Sequence, residues 1–228
     1  MQISEVFYSI QGEGLLAGQP SVFIRTSGCN LRCRWCDTPY TSWHPEGTSM
    51  SLTEVLSTLE MYPSRYAVVT GGEPMIAPEI EALTEALRER AYHITIETAA
   101  TVFKPVACDL ASVSPKLANS TPWQEENGKY AERHEALRIN PEVIQSFVEE
   151  YPYQLKFVID SPEDLEELEI LIGRLKDVDR TRVLLMPQST TSEELNEKSH
   201  RISELCKTHG FRYGVRLHLD LYGNTRGT

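Results

Sequence analysis

An α/β fold built on a parallel sheet, either open or curled into a full or partial barrel, is predicted by three observations. Short apolar or alternating segments recur at residues 66–70, 93–98, 110–114, 153–159 and 182–186. Between most of them lie stretches with the three- and four-residue apolar spacing of amphipathic helices, which is the βα alternation of a parallel sheet. The polar motifs, finally, fall at one place in each unit: residues 28–38, 70–74 and 114–116, and Gln188, each follow a predicted strand. Loops at the carboxyl ends of such strands build active sites, so four motifs on one rim argue for one site.

Residues 3–10 alternate imperfectly, Gln11, Gly12, Glu13 and Gly14 supply a turn, and SVFIRT at residues 21–26 reads as a strand ending at a cysteine loop. Spacing alone reads QGEG as a glycine-bearing hairpin connection. Residues 38–49 are rich in Thr, Ser and Pro and read as irregular. Ser51 and Glu54 have capping-box spacing and start a helix to about residue 61, before Pro63. YAVVT at residues 66–70 is an apolar strand of the kind buried on both faces, and it runs into Gly71, Gly72, Glu73 and Pro74. Ile80, Leu83 and Leu87 predict a helix over residues 78–90.

HITIET at residues 93–98 sets Ile94 and Ile96 on one face and Thr95 and Glu97 on the other. Two readings of Glu97 stay open, a carboxylate pointing into a site and a solvent-facing one. A strand over 110–114 ends at Ser114, Pro115 and Lys116, and residues 118–134 turn polar, an excursion that either covers a site or is simply mobile. Helical spacing resumes over 142–151, a strand follows at 153–159, and Ser161 with Pro162 opens a helix to about residue 175. The strand at 182–186 ends in Pro187 and Gln188, a helix over 192–208 stops at Gly210, and a last strand is predicted over 213–219.

A chain of 228 residues with no obvious linker reads as one domain, residues 1–228. A formal charge of −11 disfavours a partner that is nucleic acid, which needs a basic face, and favours a small molecule. With no long apolar run and no signal-like N-terminus, the expectation is a soluble, cytoplasmic protein without membrane contact. Cys29, Cys33 and Cys36 crowd into one loop, while Cys108 and Cys206 stand apart as small core residues. Crowded thiols in a reducing compartment read as metal ligands, and three of them leave one position of a metal centre open. One alternative is a structural zinc site with His44 as fourth ligand, although such sites usually draw their ligands from two separated knuckles.

The CxxxCxxC spacing of Cys29, Cys33 and Cys36, followed after a strand by GGEP, resembles the radical S-adenosylmethionine (SAM) superfamily. FYSIQGEG at 7–14, FIRTSGCNLRCRWCDT at 23–38, TGGEP at 70–74, SPK at 114–116 and PQ at 187–188 together resemble the 7-carboxy-7-deazaguanine synthase family over nearly the whole chain. The resemblance implies a partial TIM-like (βα)6 barrel of the radical SAM type, usually a homodimer. It implies a 4Fe-4S cluster on Cys29, Cys33 and Cys36 whose fourth iron binds SAM, an electron donor such as flavodoxin, and Mg2+ at Thr38. The reaction so implied is a lyase reaction on the route to queuosine and related 7-deazapurines. It converts 6-carboxy-5,6,7,8-tetrahydropterin to 7-carboxy-7-deazaguanine by radical ring contraction with loss of ammonia.

Carried over residue by residue, the SAM contacts are Trp35, Cys36, Asp37, Gly72, Ser114, Pro115, Lys116 and Gln188. Substrate contacts are Gln11, Gly12, Glu13, Gly14, Arg25, Thr70 and Thr228. Gly72 admits SAM close to the backbone, and Arg25 suits a two-pronged grip on the pterin carboxylate or an ion pair with a neighbouring acid. The terminal carboxylate of Thr228 suits the N3–H and 2-amino edge of a pterin. A single hydroxyl at Thr38 holds magnesium weakly, so substrate oxygens and waters must complete the octahedron. A glycyl-radical activating enzyme shares the cysteine spacing, but QGEG and Arg25 argue against it. A non-catalytic zinc or iron–sulfur module leaves the strand-end clustering unexplained.

Overall fold

Alternate positions on the central strands sort into an apolar face and a mixed one that carries the charged groups, and this sorting organises the molecule, whose computed structural model describes residues 1–228. Nine strands form one sheet in the order β3-β1-β2-β4-β5-β6-β7-β8-β9. They are β1 Gln2–Ile10, β2 Pro20–Thr26, β3 Thr48–Ser49, β4 Tyr66–Gly71, β5 His93–Thr98, β6 Leu110–Val113, β7 Tyr153–Ile159, β8 Val183–Pro187 and β9 Arg212–Tyr213. β1 pairs antiparallel with β2 and β3, and every pairing from β2 to β9 is parallel. The two ends of the order do not pair, so the sheet is an open, partial barrel.

The helices are α1 Pro39–Ser42, α2 Leu52–Leu59, α3 Ile80–Glu89, α4 Ala131–Leu137, α5 Pro141–Glu150, α6 Pro162–Arg174, α7 Ser192–His209 and α8 Leu217–Tyr222. Val22, Ile24, Val69, Ile94, Ile96, Leu155, Phe157, Val183 and Leu185 alternate along their strands and are fully buried against Leu59, Leu83, Leu87, Leu168 and Ile202 of the helices. Each such side chain contributes about 1.5–3 kcal/mol by leaving water, which fixes the helices to this face and frees the other for chemistry. Local signals set the helix ends. The Ser51 N–H donates to Glu54 Oε2 at 2.7 Å, the Ser161 N–H donates to Asp164 Oδ2 at 2.8 Å, and Gly210 ends α7 at a φ of 72°.

Two expectations change. The stretch 38–49 is not wholly irregular: it contains α1, and β3 pairs with Gln2 and Ile3 at the edge of the sheet. The last strand is only Arg212–Tyr213, followed by α8. Gly214 N–H still donates to Leu185 O, but Leu217 N–H donates to Gly12 O, so the chain leaves the ladder and turns across the mouth of the site. Residues 118–134 form 3-10 turns at Ala118–Ser120 and Glu125–Gly128 and lead into α4. The short connection after β1 does join an antiparallel pair, with Ile10 opposite Pro20.

Candidate active site

On the face away from the helices, Phe7, Phe23, Arg25, Val68, Thr70, Glu97, Lys156, Val158 and Met186 line a cavity of about 330 Å3. Loops at the carboxyl ends of the parallel strands complete its wall. The cysteine loop leaves β2 at Gly28, whose N–H donates to Thr41 O at 2.9 Å and whose carbonyl accepts from Glu73 N–H at 3.0 Å. The loop after β4 therefore docks on the root of the cysteine loop. A Cβ at Gly72 would stand 2.1 Å from Gly28 O and 2.7 Å from Thr41 O, so this packing gives a second reason for glycine at a position that also lines the cavity. Glu73 is buried and accepts from Thr98 Oγ1 at 2.7 Å and Ala99 N–H at 2.8 Å, tying the β4 loop to β5. Burial raises its carboxyl above the ordinary range in spite of those donors.

Cys29, Cys33 and Cys36 all line the cavity. Cys29 Sγ accepts from Leu31 N–H at 3.4 Å, and Cys36 Sγ lies 3.3 Å from Ser42 Oγ. Burial pushes the Cys29 thiol up to about 12 and moves Cys33 and Cys36 above their ordinary values. No three His, Cys, Asp or Glu side chains converge on a point, as a mononuclear ion demands, and His44 is exposed and outside the cavity. The Cys3His zinc reading therefore fails on geometry. Three soft thiolate donors spread along one loop fit an iron–sulfur cluster, in which each takes a different iron.

Of the expected SAM contacts, Trp35, Cys36, Asp37, Gly72, Ser114, Lys116 and Gln188 line this cavity and Pro115 does not. Trp35 Nε1 donates to Asn119 O at 3.0 Å, while Lys116 Nζ donates to Ser114 Oγ at 2.8 Å and stands 5.9 Å from the Trp35 ring centroid. Gln188 Oε1 accepts from Lys198 Nζ at 2.9 Å. Thr38, the expected magnesium contact, lines the cavity 3.8 Å from Cys36 Sγ.

Of the expected substrate contacts, Gln11, Gly12, Glu13, Arg25, Thr70 and Thr228 share the lining. Gly14 sits behind it, at a φ of 76°, where a Cβ would meet the Gln154 amide at 2.2 Å. Arg25 Nε lies 2.7 Å from Glu5 Oε1 without hydrogen-bond alignment, and its guanidinium carbon lies 5.2 Å from the Phe7 ring centroid. Arg25 thus forms the ion pair with Glu5 and also lines the cavity. The chain end reaches the same cavity, where Thr228 Oγ1 donates to Thr225 O at 2.7 Å and Arg226 lies 2.8 Å from Glu46 and 3.6 Å from Glu5.

Sequence reasoning missed Lys156, Arg216 and His218, which line the cavity with the rest. Lys156 Nζ, with its side chain 3 % exposed, stands 2.9 Å from Glu13 Oε2 and 2.7 Å from Glu97 Oε2. Burial opposes its charge, yet the two carboxylates hold the ammonium above its ordinary value. Glu13 is likewise disfavoured by burial, but Lys156, Arg216 and His218 keep its carboxyl well below the usual range. Arg216 donates to Glu13 Oε1 at 3.1 Å, to Asp37 Oδ2 at 2.9 Å and to Ser189 O, joining the loops after β1, β2 and β8. Glu97 is settled as a cavity residue by its partner Lys156 and by Gln11 Nε2, which donates to it at 3.4 Å. One signal was available for Lys156: a lysine in the apolar strand YQLKFVI, on the face opposite Leu155 and Phe157.

Residues 23–118 match the Radical SAM superfamily. The 7-carboxy-7-deazaguanine synthase of Halobacterium salinarum is 42 % identical over 238 residues, covering 100 % of this chain and 93 % of that one. That of Rhodopirellula baltica is 41 % identical over 227 residues, covering 99 % and 88 %. Among solved structures, QueE from Escherichia coli superposes with a TM-score of 0.72 at 25 % identity, covering 95 % of this chain and 94 % of that one.

Proposed function

The chain belongs to the 7-carboxy-7-deazaguanine synthase family of radical SAM enzymes, and on that premise we propose that its cavity takes 6-carboxy-5,6,7,8-tetrahydropterin and contracts its ring, with loss of ammonia, to 7-carboxy-7-deazaguanine. One observation carries the reading: the three thiols of the cysteine loop and a separate set of charged groups, Arg25, Glu13, Glu97 and Lys156, line the same cavity. When bound, the 4Fe-4S cluster and SAM supply a 5′-deoxyadenosyl radical beside the substrate.

The protein's own groups bind and orient. Arg25, held by Glu5 and stacked on Phe7, offers its free edge to the substrate carboxylate. Glu13 and Glu97 offer acceptor oxygens to the amino and N–H edge of a pterin, and Lys156 balances their charge so that neither must be protonated to stay buried. Thr228 lines the same cavity and offers a further acceptor to the substrate. Trp35 and Lys116 bracket the SAM side, with Gln188, Ser114 and Gly72 along it, and Thr38 contributes a hydroxyl to Mg2+. Residues 1–228 act in this reading as one radical SAM domain, in a cytoplasmic homodimer reduced by a donor of the flavodoxin class. No helix is long and apolar enough to cross a membrane.

Anaerobic iron loading tests the centre. It should give about four irons per chain and reductive cleavage of SAM, and Cys29→Ser, Cys33→Ser and Cys36→Ser should each abolish cleavage. A protein that takes up zinc and leaves SAM intact overturns the reading.

A further inference from the structure

Residues 119–134 contribute nothing to the cavity lining, yet they grip the cysteine loop from behind. Arg34 N–H donates to Ser120 O at 2.8 Å, Arg34 Nε donates to Asn119 O at 2.6 Å, and the Trp35 indole donates to the same carbonyl. The deepest contact belongs to His134 on α4, which is 1 % exposed and whose Nδ1 accepts the Arg32 N–H at 3.1 Å. Arg32 lies between Cys29 and Cys33 in the loop. Because a backbone N–H can only donate, Nδ1 must be the bare nitrogen and Nε2 must carry the ring proton. Nε2 lies 2.9 Å from Ser120 Oγ, and that hydroxyl donates its own proton to Leu117 O at 2.6 Å. Leu117 adjoins Lys116 at the end of the β6 loop. A single directed chain of hydrogen bonds therefore runs from the backbone between two cysteines to the loop that carries Ser114 and Lys116.

We infer that His134 is a positioning residue, which through Arg32 N–H and the Ser120 hydroxyl holds the cysteine loop and the Ser114–Lys116 loop at the spacing that SAM requires. The inference rests on the proposed function for the identity of the ligand between those loops, but the brace itself belongs to the protein alone. It gives residues 118–134 a task that is neither a lid nor a disordered insertion. It also explains why a titratable side chain is buried where no substrate reaches it: burial lowers His134 to about 4, so the ring stays neutral and keeps one acceptor and one donor at neutral pH.

The test compares wild type with His134→Leu, His134→Asn and Ser120→Ala. Asparagine keeps an acceptor near the place of Nδ1, whereas leucine fills space without one. In iron-free protein, hydrogen exchange at the Arg32 amide should be protected in wild type, on the order of tenfold faster in His134→Leu, and close to wild type in His134→Asn. In iron-loaded enzyme, His134→Leu should raise KM for SAM on the order of tenfold and leave KM for the pterin unchanged. Unchanged Arg32 exchange in His134→Leu overturns the brace. So does equal impairment of the Leu and Asn variants, which marks generic packing, and so does a parallel rise of both KM values. If His134→Leu does not fold, Ser120→Ala should shift the same readouts in the same sense by less, and a wild-type result there overturns the inference. Wild-type protein that fails to cleave SAM sinks the proposed function instead, while Arg32 exchange still decides the brace.

Discussion

Replacing Gly72 by alanine adds one methyl group at the point where the β4 loop meets the root of the cysteine loop. The added Cβ would stand 2.1 Å from Gly28 O, 2.5 Å from Gly28 C and 2.7 Å from Thr41 O. Carbon contacts normally sit at roughly 3.5–4 Å, so the two loops must part by more than about 1 Å. All three neighbours are backbone atoms, and no rotamer change relieves them. The parting strains the Glu73 N–H to Gly28 O and Gly28 N–H to Thr41 O hydrogen bonds, 3.0 and 2.9 Å long. Overpacking at about 1–3 kcal/mol and one weakened hydrogen bond at about 1 kcal/mol give a loss of about 2–4 kcal/mol. Thermal unfolding of iron-free protein should then fall by roughly 5–15 °C. In loaded enzyme a displacement of this size beside Cys29 should slow SAM cleavage by about a hundredfold. Gly173→Ala is the control: nothing lies within 4 Å of its added Cβ and it sits in α6, so it should be neutral or stabilising by up to about 1 kcal/mol. A Gly72→Ala protein as stable and as active as Gly173→Ala would refute this steric reasoning.

Removing the Lys156 charge by Lys156→Met leaves the half-buried Glu97 without its cation and Glu13 with Arg216 alone, which should cost about 3 kcal/mol at neutral pH. Glu13 is held below its ordinary value of 4.5, so its stabilisation is full above that value and fades as pH falls beneath it; the penalty measured by denaturant unfolding should be full at pH about 7 and shrink as pH falls below about 4.5, and a penalty unchanged at pH about 3 contradicts the ion-pair account. The three raised thiols stay protonated at neutral pH in iron-free protein, so Cys29, Cys33 and Cys36 should alkylate slowly there, and cluster loading should release protons and improve as pH rises. Because their folded values lie above the unfolded ones, that contribution to stability is present below the ordinary thiol range and is lost as pH rises through it; alkylation at pH about 8 as fast as a free thiol counts against this. Extending the chain beyond Thr228 by a tag should raise KM for the pterin while leaving substrate-free SAM cleavage unaltered, and unchanged KM removes the terminus from the site.

The parallel sheet was legible because its strands alternate strongly: Ile94 and Ile96 against Thr95 and Glu97 already separates the helix-packed face from the cavity face. The cysteine loop and GGEP were legible because their residue types are rare in that spacing. Arg216 was not, since a lone arginine gives no sign of which acids it will meet, and its partners Glu13 and Asp37 lie far away in the chain. The final strand was misread for a related reason. In RYGVRLHL apolar residues alternate as in a strand, but Arg216 finds its acids and Leu217 its Gly12 carbonyl, and these tertiary contacts outweigh local pattern. Polarity alone made residues 118–134 look like a detached loop, because His134, Ser120 and Asn119 spend their hydrogen bonds on the cysteine loop rather than on water.

The central claim is that one cavity joins a thiolate-held cluster to a carboxypterin site, and product identification tests it most directly. Iron-loaded enzyme, reductant, SAM, Mg2+ and 6-carboxy-5,6,7,8-tetrahydropterin are incubated without oxygen, and the mixture is analysed by mass spectrometry. The account predicts 7-carboxy-7-deazaguanine and ammonia in equal amounts, with Arg25→Gln making far less of both at the same substrate concentration. Cleavage of SAM with the pterin recovered unchanged would contradict it.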